Sequence, residues 1–208
     1  MPDLTYENNL LARGFLRVAG VDEAGRGPLA GPVAAAAVIL PKSFSCPYLN
    51  DSKKLSKKRR EQLYAEITGN SQITWAVATV GPEEIDTINI LRATHRAMAM
   101  ALSTLSVMPC IALVDGLRVK GLPVEHEALV KGDGLSLSIA AASVIAKVTR
   151  DRMMEKIDAE FPQYGFAKHQ GYGTRIHLEA LKTHGPCIHH RRSFKPVSQL
   201  TISPALGN

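Results

Sequence analysis

The chain has 208 residues, 45% of them hydrophobic, and its 25 Lys+Arg against 19 Asp+Glu give a formal net charge of +6. That length suits one compact domain with a substantial core, and the basic excess is compatible with a polyanionic partner. The three widely separated cysteines form no C-x-x-C pair, which argues against a disulfide framework and favours a reducing cytoplasm. No apolar run reaches the roughly 20 residues that span a bilayer, so we expect a cytoplasmic protein without a membrane partner.

Apolar runs and helical spacing alternate along the chain and predict an α/β fold, a mixed β-sheet flanked by α-helices with a small C-terminal helical region. We expect one domain over residues 1–208, with a core at about 15–197 and loose N-terminal residues and tail 198–208. The predicted strands lie at 15–21, 32–40, 73–80 and 110–115, with a further candidate at 127–131. The predicted helices run from Ser56 to about 69, and over 90–105, 136–161 and 174–183.

The most informative motif is Val21-Asp22-Glu23-Ala24-Gly25-Arg26-Gly27-Pro28, at the end of the first predicted strand. Adjacent carboxylates offer the oxygen ligands that divalent cations prefer. Glycines allow a substrate to approach the backbone closely, and the arginine between them has a planar fork of donors that suits phosphate. The motif therefore predicts a metal-assisted site that reads a phosphate-bearing polymer through backbone atoms.

Two further acids come from distant segments. Asp115 ends an apolar strand, and Asp133 lies between a short strand and the long predicted helix. Taken alone, Asp115 before Gly116 is equally well a turn residue, and Asp133 is more readily a turn residue or helix N-cap. Because ligands gather at strand ends in such sheets, the acids can also converge on one edge.

Seven blocks, in order, resemble bacterial ribonuclease HII, the type 2 ribonuclease H family. They cover about residues 15–197 and start with the motif around Asp22. The others are Asn50-Asp51-Ser52-Lys53-Lys54-Leu55, Val114-Asp115-Gly116, Lys131-Gly132-Asp133, Ala141-Ala142-Ser143-Val144-Ile145-Ala146-Lys147-Val148-Thr149-Arg150-Asp151, Gly171-Tyr172-Gly173-Thr174 and His189-His190-Arg191-Arg192-Ser193-Phe194.

The resemblance implies a ribonuclease H-like fold and an endonuclease that hydrolyses the RNA strand of RNA–DNA hybrids. It also implies nicking on the 5′ side of single ribonucleotides in duplex DNA, leaving 5′-phosphate and 3′-hydroxyl ends. Its catalytic metal ligands carry over to Asp22, Glu23, Asp115 and Asp133. Two Mg²⁺ or Mn²⁺ ions held there would activate water and stabilise the leaving oxygen.

Substrate contacts are also implied by the resemblance. The backbone of Gly25, Arg26 and Gly27 would touch the ribonucleotide, and Tyr172 would approach its 2′-hydroxyl, which distinguishes RNA from DNA. Taken alone, Tyr172 is more readily a half-buried ring that closes a turn. Lys53 and Lys54 are expected to meet backbone phosphates.

Two other classes of protein remain open at this point. One is a non-catalytic RNA–DNA hybrid-binding protein, and the other is a different ribonuclease H-like nuclease, such as a junction resolvase. Residues near Cys187, His189 and His190 lack the second ligand pair of a structural zinc site. The tail contains Gln199 and Ile202 but no aromatic pair, so we expect no sliding-clamp partner, and we expect a monomer.

Overall fold

The computed structural model describes residues 1–200, which form a five-stranded sheet with helices on both faces. The strands are β1 (Val18–Ala24), β2 (Val33–Ile39), β3 (Thr74–Val80), β4 (Ile111–Asp115) and β5 (Glu125–Leu129). Their order across the sheet is β3-β2-β1-β4-β5. Pairs β1–β2 and β2–β3 are antiparallel, whereas β1–β4 and β4–β5 are parallel. The predicted mixed sheet is confirmed.

The helices are α1 (Thr5–Ala12), α2 (Lys57–Gly69), α3 (Pro82–Ser103), α4 (Leu137–Glu160), α5 (Phe166–His169), α6 (Arg175–His184) and α7 (Val197–Leu200). Helix α3 covers one face of the sheet, where Val21, Ala35 and Ala37 point, and helices α2 and α4 cover the other. Alanines dominate β2 because both of its faces are buried under helices that approach closely. The last three helices form the predicted C-terminal helical region.

Polar residues fix the starts of three helices. Ser56, Ser136 and Thr174 each accept a hydrogen bond from a backbone N–H in the first turn of α2, α4 and α6. Such bonds satisfy donors that have no partner within the helix. These caps place α4 immediately after the turn that carries Asp133.

Three elements differ from their predicted bounds by more than one residue. Strand β1 runs over Val18–Ala24 rather than 15–21, so Asp22 and Glu23 lie within it. Helix α3 begins at Pro82 rather than near Ile90, because a kink at Asn89 (φ 67°) joins two helical parts and the Asn89 side chain accepts from the Arg92 N–H. Strand β5 starts at Glu125 rather than 127, since its pairing with β4, and not its own apolar content, sets its position.

The N-terminal residues are not loose, contrary to expectation. They form α1, whose Leu10 is buried against β1 and β4, and its Glu7 carboxylate accepts hydrogen bonds from Ser136 Oγ (2.6 Å) and Ser138 N (2.9 Å). Glu7 therefore joins the capping of α4, where an acid is favoured by the helix dipole.

The C-terminal end of the chain was expected to be loose and to lack a sliding-clamp motif. Residues Val197–Leu200 form α7, with Val197 buried. Ile202 and the rest of the tail lie outside the described residues. Within residues 1–200, no helix is long and apolar enough to cross a membrane.

Candidate active site

Strand pairing brings the first two acids together. Val21 of β1 pairs with Val114 of the parallel strand β4, and each strand continues directly into an acid, Asp22 and Asp115. Parallel neighbours end at the same edge of a sheet, so the two carboxylates meet there. Asp22 lies in the middle of the sheet and is 4% exposed.

The third acid arrives on the turn before α4. Gly132 N–H donates to Asp115 Oδ1 (2.7 Å), which fixes the Gly132–Gly134 turn, and hence Asp133, against the end of β4. Helix α4 can lie this close because β1 has Gly20 beneath its first turn. A Cβ on Gly20 would come within 2.1 Å of the Ser138 carbonyl carbon. Gly20 is thus part of the site's construction.

Oxygen atoms of Asp22, Asp115 and Asp133 all lie within 4.8 Å of one another, and among residues 1–200 this is the only such group of potential metal ligands. The carboxylate of Glu23 is not part of this group. It accepts a hydrogen bond from Arg26 Nη1 at 3.2 Å instead. The structure therefore assembles three of the four expected acids and places the fourth beside them, paired with a cation.

Electrostatic repulsion within the cluster is strong. Burial raises the pKa of Asp22 well above its usual range, and the neighbouring Glu23 and Asp115 raise it further. Burial and then Asp115 raise the pKa of Asp133 to about 6. Burial raises the pKa of Glu23, although Arg26 opposes this shift. Clustered carboxylates with oxygen ligands and uncompensated charge are the donor set that a divalent cation takes.

The neighbouring lysines differ. Burial lowers the pKa of Lys53, but the acids around it, with Asp22 and Asp133 foremost, outweigh burial and raise that pKa. Lys53 therefore faces the cluster. Lys54 follows it in the short 3-10 turn Ser52–Lys54, whose capping residue Asp51 accepts from the Lys53 N–H at 2.9 Å. Both lysines are exposed, but it is Lys53 that faces the acids.

The acid that caps this turn, Asp51, was not assigned a role from the sequence. Asp51 also lies near Asp133 and helps raise the pKa of Asp133. Its neighbour Ser52 is buried and accepts from Ser143 Oγ at 2.8 Å. The lysine turn is thereby fixed to α4 beside the acids.

The Gly-Arg-Gly loop and Tyr172 lie on one side of the acids. They line a cavity of about 300 Å³ together with Glu23 and Lys53. The Tyr172 ring is 47% exposed, and a Cβ on Gly27 would lie 3.5 Å from its Cε1 atom. An exposed aromatic ring thus lies close to a backbone without a side chain, and both border the same open cavity.

Two buried arginines hold this loop, and neither was assigned to it from the sequence. Arg191 donates to the carbonyl oxygens of Gly25 (2.5 Å), Arg26 (2.9 Å) and Gly31 (3.0 Å). Arg150 donates to those of Pro32 (2.9 Å), Ala30 and Gln170. Burial lowers the pKa of Arg191 to about 9, so the group remains charged at neutral pH.

A larger cavity of about 850 Å³ lies on the other side of Glu23 and Arg26. Asp115 is in its wall, and the second half of α3 and the loop after β4 form the rest. Its cationic side chains are Arg26, Arg92, Arg96, Arg118 and Lys120. The acids are therefore flanked by two openings with basic walls, an arrangement suited to a polyanion that passes across them.

Comparison with known proteins identifies the family. A family model described as ribonuclease HII matches residues 19–197. The chain is 49% identical to ribonuclease HII of Syntrophomonas wolfei over 202 residues, covering 97% of this chain and 79% of that protein. It is 52% identical to ribonuclease HII of Desulfitobacterium hafniense over 196 residues, covering 94% and 75%. The crystal structure of ribonuclease H2 from Pyrococcus horikoshii superimposes with a TM-score of 0.71 at 27% identity, covering 89% of this chain and 97% of that one.

Proposed function

Since the chain belongs to the ribonuclease HII family, we propose that it nicks duplex DNA on the 5′ side of a single embedded ribonucleotide, leaving 5′-phosphate and 3′-hydroxyl ends. Family membership makes the protein a type 2 ribonuclease H, an endonuclease that acts on RNA–DNA hybrids. The ribonuclease H-like fold expected from the resemblance is confirmed. Nicking at a single embedded ribonucleotide is a narrower specificity than action on RNA–DNA hybrids in general.

The observation that carries the proposal is the half-exposed Tyr172 ring facing Gly27 beside the acids. A phenol combines an apolar ring, which packs on a sugar, with a hydroxyl that hydrogen-bonds the 2′-OH. Backbone groups of Gly25, Arg26 and Gly27 border the same space. A single ribonucleotide whose sugar enters this cavity is recognised by its 2′-OH, so a longer RNA segment is unnecessary.

Asp22, Asp115 and Asp133 fit the metal site that the family implies, because their oxygens already converge and their repulsion is unrelieved. We propose that they hold Mg²⁺ or Mn²⁺, two ions in the substrate complex, with Glu23 as the fourth acid. Ions bound there supply charge neutralisation at the phosphate and lower the pKa of a bound water. Asp22, the most buried of the three, would hold the ions together with Asp115 and Asp133.

Cationic side chains of this chain position the substrate phosphates. The cavity of about 300 Å³ lined by the Gly-Arg-Gly loop and Tyr172 is the recognition cavity. Lys53 lies between the acids and this cavity, where it meets the nucleic-acid backbone next to the scissile bond. Lys54, farther out, contributes affinity. The arginines of the larger cavity extend this contact along the duplex. Such contacts fix the register of the substrate without reading its sequence.

Both alternatives from the sequence fit less well. A binder that does not cut gains nothing from three clustered acids, two of them buried, since their repulsion weakens both folding and binding. A junction resolvase has no need for a tyrosine and an open backbone that frame one sugar. Family membership supports a type 2 ribonuclease H over either class.

The test is an end-labelled DNA duplex with one ribonucleotide, incubated with the protein and Mg²⁺ or Mn²⁺. We expect a single nick 5′ of the ribonucleotide, blocked by EDTA and by Asp22→Asn. That variant should still bind an RNA–DNA hybrid, since it keeps the shape of the side chain and removes only the charge. Cutting of a continuous hybrid with no nick in this duplex would refute the proposed specificity. Normal turnover by Asp22→Asn would refute the metal assignment.

A further inference from the structure

Two consecutive buried side chains, His190 and Arg191, lie behind the recognition cavity in the C-terminal segment. They are 2% and 0% exposed. Backbone bonds fix this segment to the chain that follows the Gly-Arg-Gly loop, because Gly31 N donates to His189 O (2.9 Å) and Arg191 N donates to Leu29 O (2.8 Å). The backbone of both residues is therefore fixed relative to the chain that follows the Gly-Arg-Gly loop.

The Arg191 side chain holds the Gly-Arg-Gly loop, which borders one side of the cavity. Its Nη1 and Nη2 atoms donate to the Arg26 and Gly25 carbonyl oxygens, which orients the backbone between the two glycines. A guanidinium that donates to several carbonyls in a planar fork leaves the peptide groups little freedom. Arg191 thus sets the orientation of the loop that borders the ribonucleotide.

The His190 side chain is connected to Tyr172, on the other side of the cavity, through the imidazole of His177. His190 Nε2 lies 3.0 Å from His177 Nε2, and His177 Nδ1 lies 2.9 Å from the carbonyl oxygen of Tyr172. At the opposite end, Cys187 N–H donates to His190 Nδ1 at 3.0 Å. Both rings are buried, and His177 also stacks on His169 with ring centroids 4.7 Å apart.

The backbone groups at the two ends of this series of hydrogen bonds determine which imidazole nitrogens carry a proton. The Tyr172 carbonyl can only accept, so His177 carries a proton on Nδ1; the Cys187 N–H can only donate, so His190 Nδ1 carries none. One proton remains for the 3.0 Å contact between the rings. It belongs to His190 Nε2, which donates to His177 Nε2, and a second proton there would place two N–H groups against each other. Both imidazoles are neutral, consistent with burial, which lowers the pKa of each and that of His190 to about 4.

We propose that His190 and Arg191 together set the separation between the Gly-Arg-Gly loop and Tyr172, and that His177 is a positioning residue that passes the position of His190 to the Tyr172 backbone. This inference rests on the proposed function, because it assigns the two halves of the cavity to one ribonucleotide. Contacts from both sides to one sugar depend on their separation, and displacement by about 1 Å can cost about a hundredfold in rate.

Other contacts hold the Tyr172 turn in a general way. Leu29 N donates to Gly171 O at 2.8 Å, and Arg150 donates to Gln170 O. The histidine chain differs from them because it ends on the carbonyl of Tyr172 itself, which also accepts from the Thr174 N–H at 2.8 Å. Loss of the histidine bond should therefore shift the tyrosine without unfolding the region.

Two substitutions at His177 separate its roles. His177→Phe keeps a ring of similar size and removes both hydrogen bonds. His177→Asn retains an amide donor near the Nδ1 position and can still reach the Tyr172 carbonyl. We expect His177→Phe to lower kcat on the single-ribonucleotide duplex by about tenfold or more. His177→Asn, which keeps the Tyr172 contact but not the His190 contact, should lose less activity than His177→Phe while remaining below the unsubstituted protein. Leu102→Ala, a core substitution in α3, controls for general destabilisation.

The outcomes distinguish the two levels of the proposal. If the unsubstituted protein does not nick the single-ribonucleotide duplex, the proposed function and the positioning role fail together. If it nicks that duplex and His177→Phe does so equally well, the positioning role alone fails. The same holds if Leu102→Ala lowers kcat as much as His177→Phe, since the loss would then follow stability.

An independent readout needs no substrate. In protein labelled with ¹⁵N-histidine at neutral pH, NMR spectra should show His177 protonated on Nδ1 and His190 protonated on Nε2. In His177→Phe the His190 resonances should shift, because its ring loses its acceptor. Opposite tautomers, or an imidazolium at either residue, would overturn the chain of hydrogen bonds and the positioning role that depends on it.

Discussion

Gly25→Ala offers a sharp test of how the recognition loop is held. Gly25 has φ +95°, and a Cβ there would lie 1.9 Å from Arg150 Nε, far inside any real contact distance. Gly14 provides a matched control, because its φ is +97° and an added Cβ would meet nothing within 4 Å. Comparing the two alanine variants separates backbone strain from the collision with Arg150 and with the Pro32 carbonyl oxygen, which the Cβ would approach to 2.8 Å.

The magnitudes follow from the structure. A side chain in the left-handed region costs about 1–2 kcal/mol, which is the loss of unfolding free energy expected for Gly14→Ala. In Gly25→Ala, Arg150 Nε must also leave the Pro32 carbonyl, to which it donates at 2.9 Å. A buried hydrogen bond of a charged group contributes about 1.5–3 kcal/mol, so Gly25→Ala should lose about 3–5 kcal/mol in all.

Urea unfolding followed by circular dichroism measures both values, provided that the slope with denaturant stays constant. Gly25→Ala should also cut the single-ribonucleotide duplex poorly, because the Gly25 carbonyl is a partner of Arg191. If the two variants lose the same free energy to within about 0.5 kcal/mol, Arg150 moves aside freely. The reasoning that Arg150 holds this loop would then be refuted.

Three further predictions concern side chains that face the substrate. Tyr172→Ala should lower single-ribonucleotide nicking by about tenfold or more while changing the free energy of unfolding by less than about 1 kcal/mol, since the ring is half exposed; an unchanged rate would make the ring a packing residue. Lys53→Ala and Lys54→Ala should each reduce the slope of log affinity against log salt by about one, but only Lys53→Ala should slow cleavage at saturating substrate, because Lys53 faces the acids. Folding raises the pKa of Asp133 from 3.8 to about 6, so this group favours the folded state at low pH and loses that contribution as pH rises through this window. Asp133→Asn should therefore gain stability relative to the unsubstituted protein in EDTA as pH rises from about 4 to about 6, and a difference independent of pH would contradict the shift.

The acids were predictable from the sequence because local patterns mark strand ends. Asp22 and Asp115 each terminate an apolar run, and the structure places both at one edge of the sheet. Which strands are neighbours is not a local property, since β1 pairs with β4 across some ninety residues of chain. The blocks of the ribonuclease HII family supplied that information, as they did for Asp133.

The supports behind the recognition cavity were harder to find. Arg191 and His177 act on backbone carbonyls distant in sequence, and no spacing rule connects a donor with such partners. A signal did exist for Arg150. It shares the buried face of α4 with Ala146, Met154 and Ile157, and a charged residue in an apolar stripe must have specific partners.

Helix α1 was missed for a different reason. At eight residues it would not be stable in isolation. Its conformation depends on contacts with distant segments, namely Leu10 in the core and the Glu7 carboxylate on Ser136 and Ser138. Sequence patterns report the intrinsic preference of a segment, and here the tertiary contacts decide.

Among the described residues, Arg26 pairs with Glu23, whereas the two buried arginines beside the site form no ion pair with Asp22 or Asp115. The described side-chain hydrogen bonds of Arg150 and Arg191 go to backbone carbonyls, which satisfy the donors and leave both positive charges beneath the recognition loop. Asp22 and Asp115 likewise accept from backbone N–H groups. Had the arginines paired with these acids, the cluster would have lost its attraction for a cation and the loop its attraction for phosphate. Because backbone groups satisfy both sets, one small region can attract a metal ion and a polyanion together.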